Sequence, residues 1–559
     1  MGQRQRQRTA PTTLLASIKL LSEVDMQRRN LALLTLFAIF CAPVHLWAHE
    51  DERAGSAGNE QLGEVSFPIS CNAAAQREFN RGVAILHSFY YPDAVKAFTK
   101  VTELDPDCAI GYWGIAMSSW YPLWYPPSKE SLLQARAALE RAAKAQTKTQ
   151  REQDYIAAIE MFYRNFEELD HKSRAMAYEK AMKEVYRRYP DDSEAAAFYA
   201  LALQAVADPN DKAYPTQRKS GEILEKLYVE QPNHPGAAHY LIHAYDYPEL
   251  ASRALDAARH YADIAPAMPH ALHMPSHTYI ALGLWEDSIQ SNLAANAAAK
   301  KLGWVQEELH TMDYLVYAYL QSGRGRAAAD VKAKIETVAI NEKHTLGMDY
   351  AVAAAPARTA VEQRRWADAA ALVPIASTFP ATIALTHYAR ALGAARSGAL
   401  DAAQKDVDKL TELRDTLAKG KQDYWAKQVE IQRQTANAWL TWARGQNDEA
   451  LKLMRAAVDL EDSTYKNPVM PAYILPAREL LGDLLLELHQ PRQALVEYET
   501  SLRAVPNRFN GLYGAAQAAQ LAGNQDKAKL YYAELLRVCD KADSERPELR
   551  RAKLFLAAL

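Results

Sequence analysis

Glycine and cysteine are scarce in this chain of 559 residues, at 22 and 4, and neither sign of charge prevails: 65 Lys and Arg against 68 Asp and Glu leave a formal net charge of -3. Scarce glycine argues against a fold built on tight turns and bulges and suits helices. Four cysteines exclude a disulfide-dense scaffold. Balanced charge gives no footprint for nucleic acid or an anionic membrane, so no nucleic-acid partner is expected. Past the N-terminus there is no long apolar run, so no stable membrane span is expected. The enzyme signatures with a local pattern are missing as well: HExxH, CxxCH, GxSxG, a Walker loop, and GxGxxG followed by an acidic residue.

What is present is a chain with 49% hydrophobic residues and a mean hydropathy of -0.33, ordinary for a folded protein. Its first segment reads as a targeting signal. Met26 opens a basic MQRRN, the apolar Leu31 to Phe40 follows, and CAPVHLWA ends on a small residue, with cleavage expected after Ala48. Residues 1–48 are thus expected to be a signal peptide with its true start at Met26. Phe40 before Cys41 does not suit a lipobox. Residues 49–70 read as a flexible leader. Export implies a periplasmic or secreted protein in an oxidising compartment. Cys71 and Cys108 then either staple neighbouring units or remain free thiols, and Cys539 has no evident partner.

Repeats organise the rest. In ARELLGDLLLELHQPRQALVEYETSLRAVPNR, Gly482, Ala494, Tyr498 and Pro506 occupy positions 8, 20, 24 and 32 of a 34-residue unit. Ala516, Gly523, Ala528 and Tyr532 continue the frame, and Gly82, Ala94, Phe98 and Pro106 repeat it near the N-terminus. Weaker copies centre on Ala403 and Ala450. Small residues at two positions let paired helices approach closely, a bulky one fills the gap to the next unit, and proline stops the second helix. This pattern resembles the tetratricopeptide repeat superfamily over most of residues 75–540. The resemblance implies an all-α solenoid of tetratricopeptide-type helix-turn-helix repeats, whose concave groove takes a protein or peptide partner or a small ligand. Residues 71–310 are read as N-terminal repeats and 311–559 as C-terminal ones.

Histidine is the chemically informative residue. Of 15 in the chain, His234, His239, His243, His260, His270, His273 and His277 crowd one short stretch. HYLIH and HMPSH each hold a pair at i and i+4, one turn apart on one helix face. His273 and His277 follow His239 and His243 by 34 residues, one repeat, which sets the two pairs on successive first helices at the same height. Two chelating pairs on neighbouring helices suit a divalent metal, zinc or copper. One unit further on, Glu307, His310 and Asp313 offer additional ligands, and Asp246 is placed to orient His243. Met268 and Met274 stand nearby. The competing reading is packing: duplication copies a histidine pair without function, and Pro275 either starts a helix or kinks one. An HYxIH helix followed by an HMPSH helix resembles a group of exported bacterial tetratricopeptide proteins, a likeness that implies fold and export and carries no activity.

Tyr112, Trp113 and Trp120 are expected in the core between repeats, whereas Trp124 and Tyr125 fall in a proline-rich loop and could grip a ligand. Two functions remain open. One is a scaffold or ligand-binding groove with a histidine-rich metal centre. The other is a metal-dependent hydrolase or oxidase using the same histidines. A scaffold should fill the metal with four ligands, whereas an enzyme should leave a position open.

Overall fold

The small and bulky repeat positions meet as their spacing predicts. In the computed structural model, which describes residues 60–123, 126–146, 149–341 and 343–558, the Phe98 ring is clamped between two glycines. A Cβ added at Gly82, in the paired helix, would lie 2.9 Å from that ring, and one added at Gly114, in the next unit, 2.2 Å. Tyr498 is held in the same way by Gly482 at 2.7 Å and Gly514 at 2.3 Å. The bulky residue of each such unit therefore locks two successive first helices together, and only glycine allows that approach.

Antiparallel helix pairs run from Ala73–His87 with Tyr91–Leu104 to Phe509–Leu521 with Gln525–Val538, followed by Pro547–Ala557; no strand occurs among the described residues. These are tetratricopeptide-type repeats stacked as an all-α solenoid. No helix among the described residues is long and apolar enough to cross a membrane.

The winding is tight enough for each half to close on itself. Ala73–His87 packs against both Ala109–Met117 and Pro235–Ala244, and Val305–Gln321 packs against both Leu346–Glu362 and Phe509–Leu521. In place of an open groove, the inner faces of these first helices are largely buried. Between the two closed turns run Pro235–Ala244, Pro269–His273, Pro275–Ala281 and Val305–Gln321, and these carry the histidines.

Cys71 and Cys108 form a disulfide that joins the starts of the first two units, while Cys539 is free and buried. Trp113 and Trp120 are core residues, and Tyr112 is half-buried. Residues 60–70, expected as leader, lie along the body: Phe67 is fully buried against Phe79, Trp113 and Tyr155, and the Glu64 N–H donates to the Asn233 carbonyl. The buried Leu62 and Phe67, two backbone bonds and several side-chain hydrogen bonds, among them Ser70 to Glu152, thus hold a segment whose average composition is polar. The signal segment, Met26, Cys41, the leader up to residue 59, Trp124 and Tyr125 lie outside the described residues.

Candidate metal centre

Proline shapes the histidine helices. Pro235 opens the first, with His234 as its N-cap accepting from the Ala237 N–H. Pro275 lacks an N–H to continue the turn, so the second breaks at Met274 into Pro269–His273 and Pro275–Ala281. The break brings the HMPSH pair together rather than apart: Nε2 of His273 and Nε2 of His277 are 3.1 Å apart.

The six histidines gather as two threes. Nitrogens of His239, His243 and His270 lie within 4.8 Å of one another, and so do nitrogens of His273, His277 and His310. All six are buried. The two pairs expected to share one ion therefore belong to different groups, each completed by a third histidine. The groups adjoin, with ring centres 6.1 Å apart for His243 and His277 and 6.0 Å for His270 and His273. His270 joins the first group although it lies outside the i, i+4 pairs. Its visible signal was its place three residues before His273.

Nδ1 anchors fix four of the rings. His239 donates to the His87 carbonyl, His270 to Glu307 at 3.1 Å, His273 to the Asn292 amide oxygen at 2.7 Å and His277 to Asp246 at 2.9 Å. Asn292 gives its NH2 to the Ser288 carbonyl, which settles its orientation. With hydrogen on Nδ1, each ring turns a lone pair on Nε2 toward the group, which is how metal-ligating histidines are held. Nε2 of His239 and of His310 are buried without a hydrogen-bond partner. Asp246, expected to orient His243, serves His277 because its own helix ends at Ala244. Asp313 turns away to pair with the buried Arg358, and Met268 and Met274 pack in the core.

Burial and the neighbouring imidazoles keep His239, His243 and His277 well below the usual histidine value; burial, then His273, does the same for His310. Burial holds His273 down at about 4. Burial also works against the Glu307 carboxylate, but His270, His273 and His310 outweigh it and hold it at about 2. Neutral imidazole beside an ionised carboxylate is the ligating state. The Tyr314 hydroxyl donates to the Pro468 carbonyl and so presents oxygen to Nε2 of His277 at 3.2 Å. Acceptors of His273, His277 and Tyr314 thus converge with no proton between them, an arrangement that a cation reconciles. Three nitrogens on one tetrahedral ion stand about 3.4 Å apart, so binding requires the wider members to swing inward by about 1 Å.

A third group, His87, Glu194 and His234, is of another kind. His87 and His234 each donate Nε2–H to one oxygen of Glu194, at 2.8 and 3.1 Å. Nδ1 of His87 accepts from Tyr240 and Nδ1 of His234 from the Ala237 N–H. No imidazole lone pair is left to bind a metal.

No family model and no curated protein matches this sequence. Among solved structures, a crystal structure of the APC/C hetero-tetramer Cut9-Hcn1 is 11% identical with TM-score 0.33, covering 88% of this chain and 78% of that one. A human IFIT1 dimer with PPP-AAAA is 13% identical with TM-score 0.34, covering 84% of this chain and 96% of that one. Likenesses this distant transfer no ligand and no partner.

Proposed function

We propose that this chain is an exported metalloprotein whose two three-histidine groups each hold one zinc or copper ion, and that it acts as a metal-dependent enzyme on a small molecule. The observation that carries the reading is the donor set. Buried imidazoles with anchored Nδ1 atoms aim Nε2 at a shared centre, and two of those nitrogens meet at 3.1 Å. Three protein ligands leave a coordination position open, the hallmark of a catalytic rather than a structural ion. Such an ion polarises a bound oxygen or lowers the pKa of bound water, which serves hydrolysis or oxidation. Glu307, bonded to His270, is the nearest carboxylate that can exchange a proton with a molecule there. The Cys71–Cys108 disulfide and the signal-like N-terminus support export.

A protein-binding scaffold is the second reading, favoured by the repeat architecture, with metal serving to tie the helices. Elemental analysis of the mature chain loaded with zinc or copper separates the cases. Two equivalents per chain are expected, with one lost in His239→Ala and one in His273→Ala. A chain that takes up neither ion sinks the proposal, and a fully saturated, substitution-inert ion favours the scaffold.

A further inference from the structure

One turn in the N-terminal half sets a bulky aromatic in the left-handed backbone beside the histidines. Where the first helix of a unit passes into the second, a single residue takes the left-handed backbone, and Gly283, Gly323, Gly398, Gly445 and Gly523 do so at φ between +66° and +81°. Tyr121, Asn165, Tyr214, Arg364 and His489 fill that place in other units. After Ala73–His87 the residue is Phe89, at φ +55°. A bulky aromatic there is strained relative to glycine. Its ring is almost fully buried against the first histidine group, with ring centres 4.4 Å from His239, 5.7 Å from His243 and 6.0 Å from His270.

Phe89 also lines a pocket of about 340 Å³, together with Tyr90, Tyr91, Tyr121 and Trp304. Tyr90 and Trp304 lie with ring centres 4.7 Å apart. The polar side of the same pocket is made by His270, Glu307 and His310, so it touches both histidine groups. Among the described residues that line it there is no Lys or Arg. Without metal, an anionic ligand such as a phosphate or a carboxylate would find no countercharge beside the Glu307 carboxylate. Rings along the walls favour a flat π-surface, and the volume, at the small end of ligand pockets, suits one or two rings.

We propose that this pocket binds a planar aromatic molecule carrying a hydroxyl group. The ring lies along Phe89, Tyr90 and Trp304, and the hydroxyl reaches the histidine floor, where it can donate to Glu307 or bind a metal through oxygen. The hydroxyl half of this assignment rests on the metal reading, and the aromatic half does not.

The test titrates the mature, metal-loaded chain with phenol and with cyclohexanol, which share an oxygen but differ in planarity, and follows tryptophan fluorescence. Phenol is expected to saturate one site, with cyclohexanol at least tenfold weaker. Trp304 is only half-buried at the start of its helix, so Trp304→Ala should fold and keep its metal yet bind phenol at least tenfold more weakly. Absence of saturation, equal affinity for the two probes, or unchanged affinity in Trp304→Ala would overturn the proposal. The two readings fail separately. A metal-depleted chain that still binds phenol through Trp304 keeps the pocket, and a metal-loaded chain that ignores phenol loses the pocket but not the metal.

Discussion

Two buried polar clusters, one in each half of the solenoid, are assembled in opposite ways. In the C-terminal half Arg508 donates to both oxygens of Glu479 at 2.6 and 3.1 Å, to Glu362 at 2.8 Å and to the Tyr317 hydroxyl at 2.8 Å. Asn510 and Gln321 donate to Glu362 at 2.7 and 3.0 Å. Every carboxylate oxygen there has a donor, although the residues come from four helices and a turn. Among the histidines, Nε2 of His239 and of His310 are buried without a hydrogen-bond partner, and those of His273 and His277 face one another at 3.1 Å. Burying polar groups costs stability unless they are paired. The arginine cluster meets that cost for its carboxylates internally and closes the turn, whereas under the proposed function the histidine cluster would meet it with metal. The His87–Glu194–His234 group sharpens the contrast, because the same residue types within the N-terminal half are fully matched. Histidine content alone does not mark a metal site; the unmatched lone pairs do.

The comparison breaks most visibly at Arg508. Arg508→Ala leaves Glu362 and Glu479 buried without a cation, which should cost about 3–5 kcal/mol. Chemical denaturation should show the same loss with and without zinc or copper. A loss that appears only in the metal-loaded protein would mean that the two clusters are coupled and the division drawn here is false.

His273→Ala should behave in the reverse manner. Without metal, removing one of two facing lone pairs offsets part of the lost packing, and the melting temperature should shift little. With metal at a hundred times its dissociation constant, the wild-type chain gains about 2.7 kcal/mol per site that the variant lacks. Thermal melts across a metal titration read the difference directly. Equal destabilisation in both states would return His273 to a packing role.

The sequence showed the units of the fold more clearly than their closure. Gly82 with Phe98 and Gly482 with Tyr498 are close in the chain, so spacing alone predicts their contact. Arg508 and Tyr317 are 191 residues apart, and nothing local says that the solenoid winds tightly enough to join them. The same limit applied at the metal centre. The pairs at His239 and His273 stood out through their 34-residue interval, but their allotment to two groups depends on the helix break at Pro275 and on His270. Phe89 left no trace that sets it apart, since Tyr121 and Tyr214 are aromatics in equivalent turns. Its contact with His239, 150 residues on, became visible only when the first turn closed.

The smallest effect expected tests whether polar groups of the C-terminal half serve the fold alone. Glu461 is buried, its Oε1 accepts from the Ala477 N–H at 2.9 Å, and burial pushes its carboxyl up to about 8 from an ordinary 4.5. Between about pH 4.5 and 8 the unfolded chain has released a proton that the folded chain retains. The unfolded state thus binds fewer protons, and stability falls as pH rises through that window before levelling above it. Glu461→Gln keeps a carbonyl to accept from Ala477 and cannot ionise. It should therefore match the wild type near pH 4 and exceed it at pH 6, by on the order of 2 kcal/mol. Urea denaturation at the two pH values measures this, alongside metal content, which should not change. A gain of the same size at both pH values would show that Glu461 is not held protonated. A change in metal content would show that the C-terminal half contributes to the histidine centre after all.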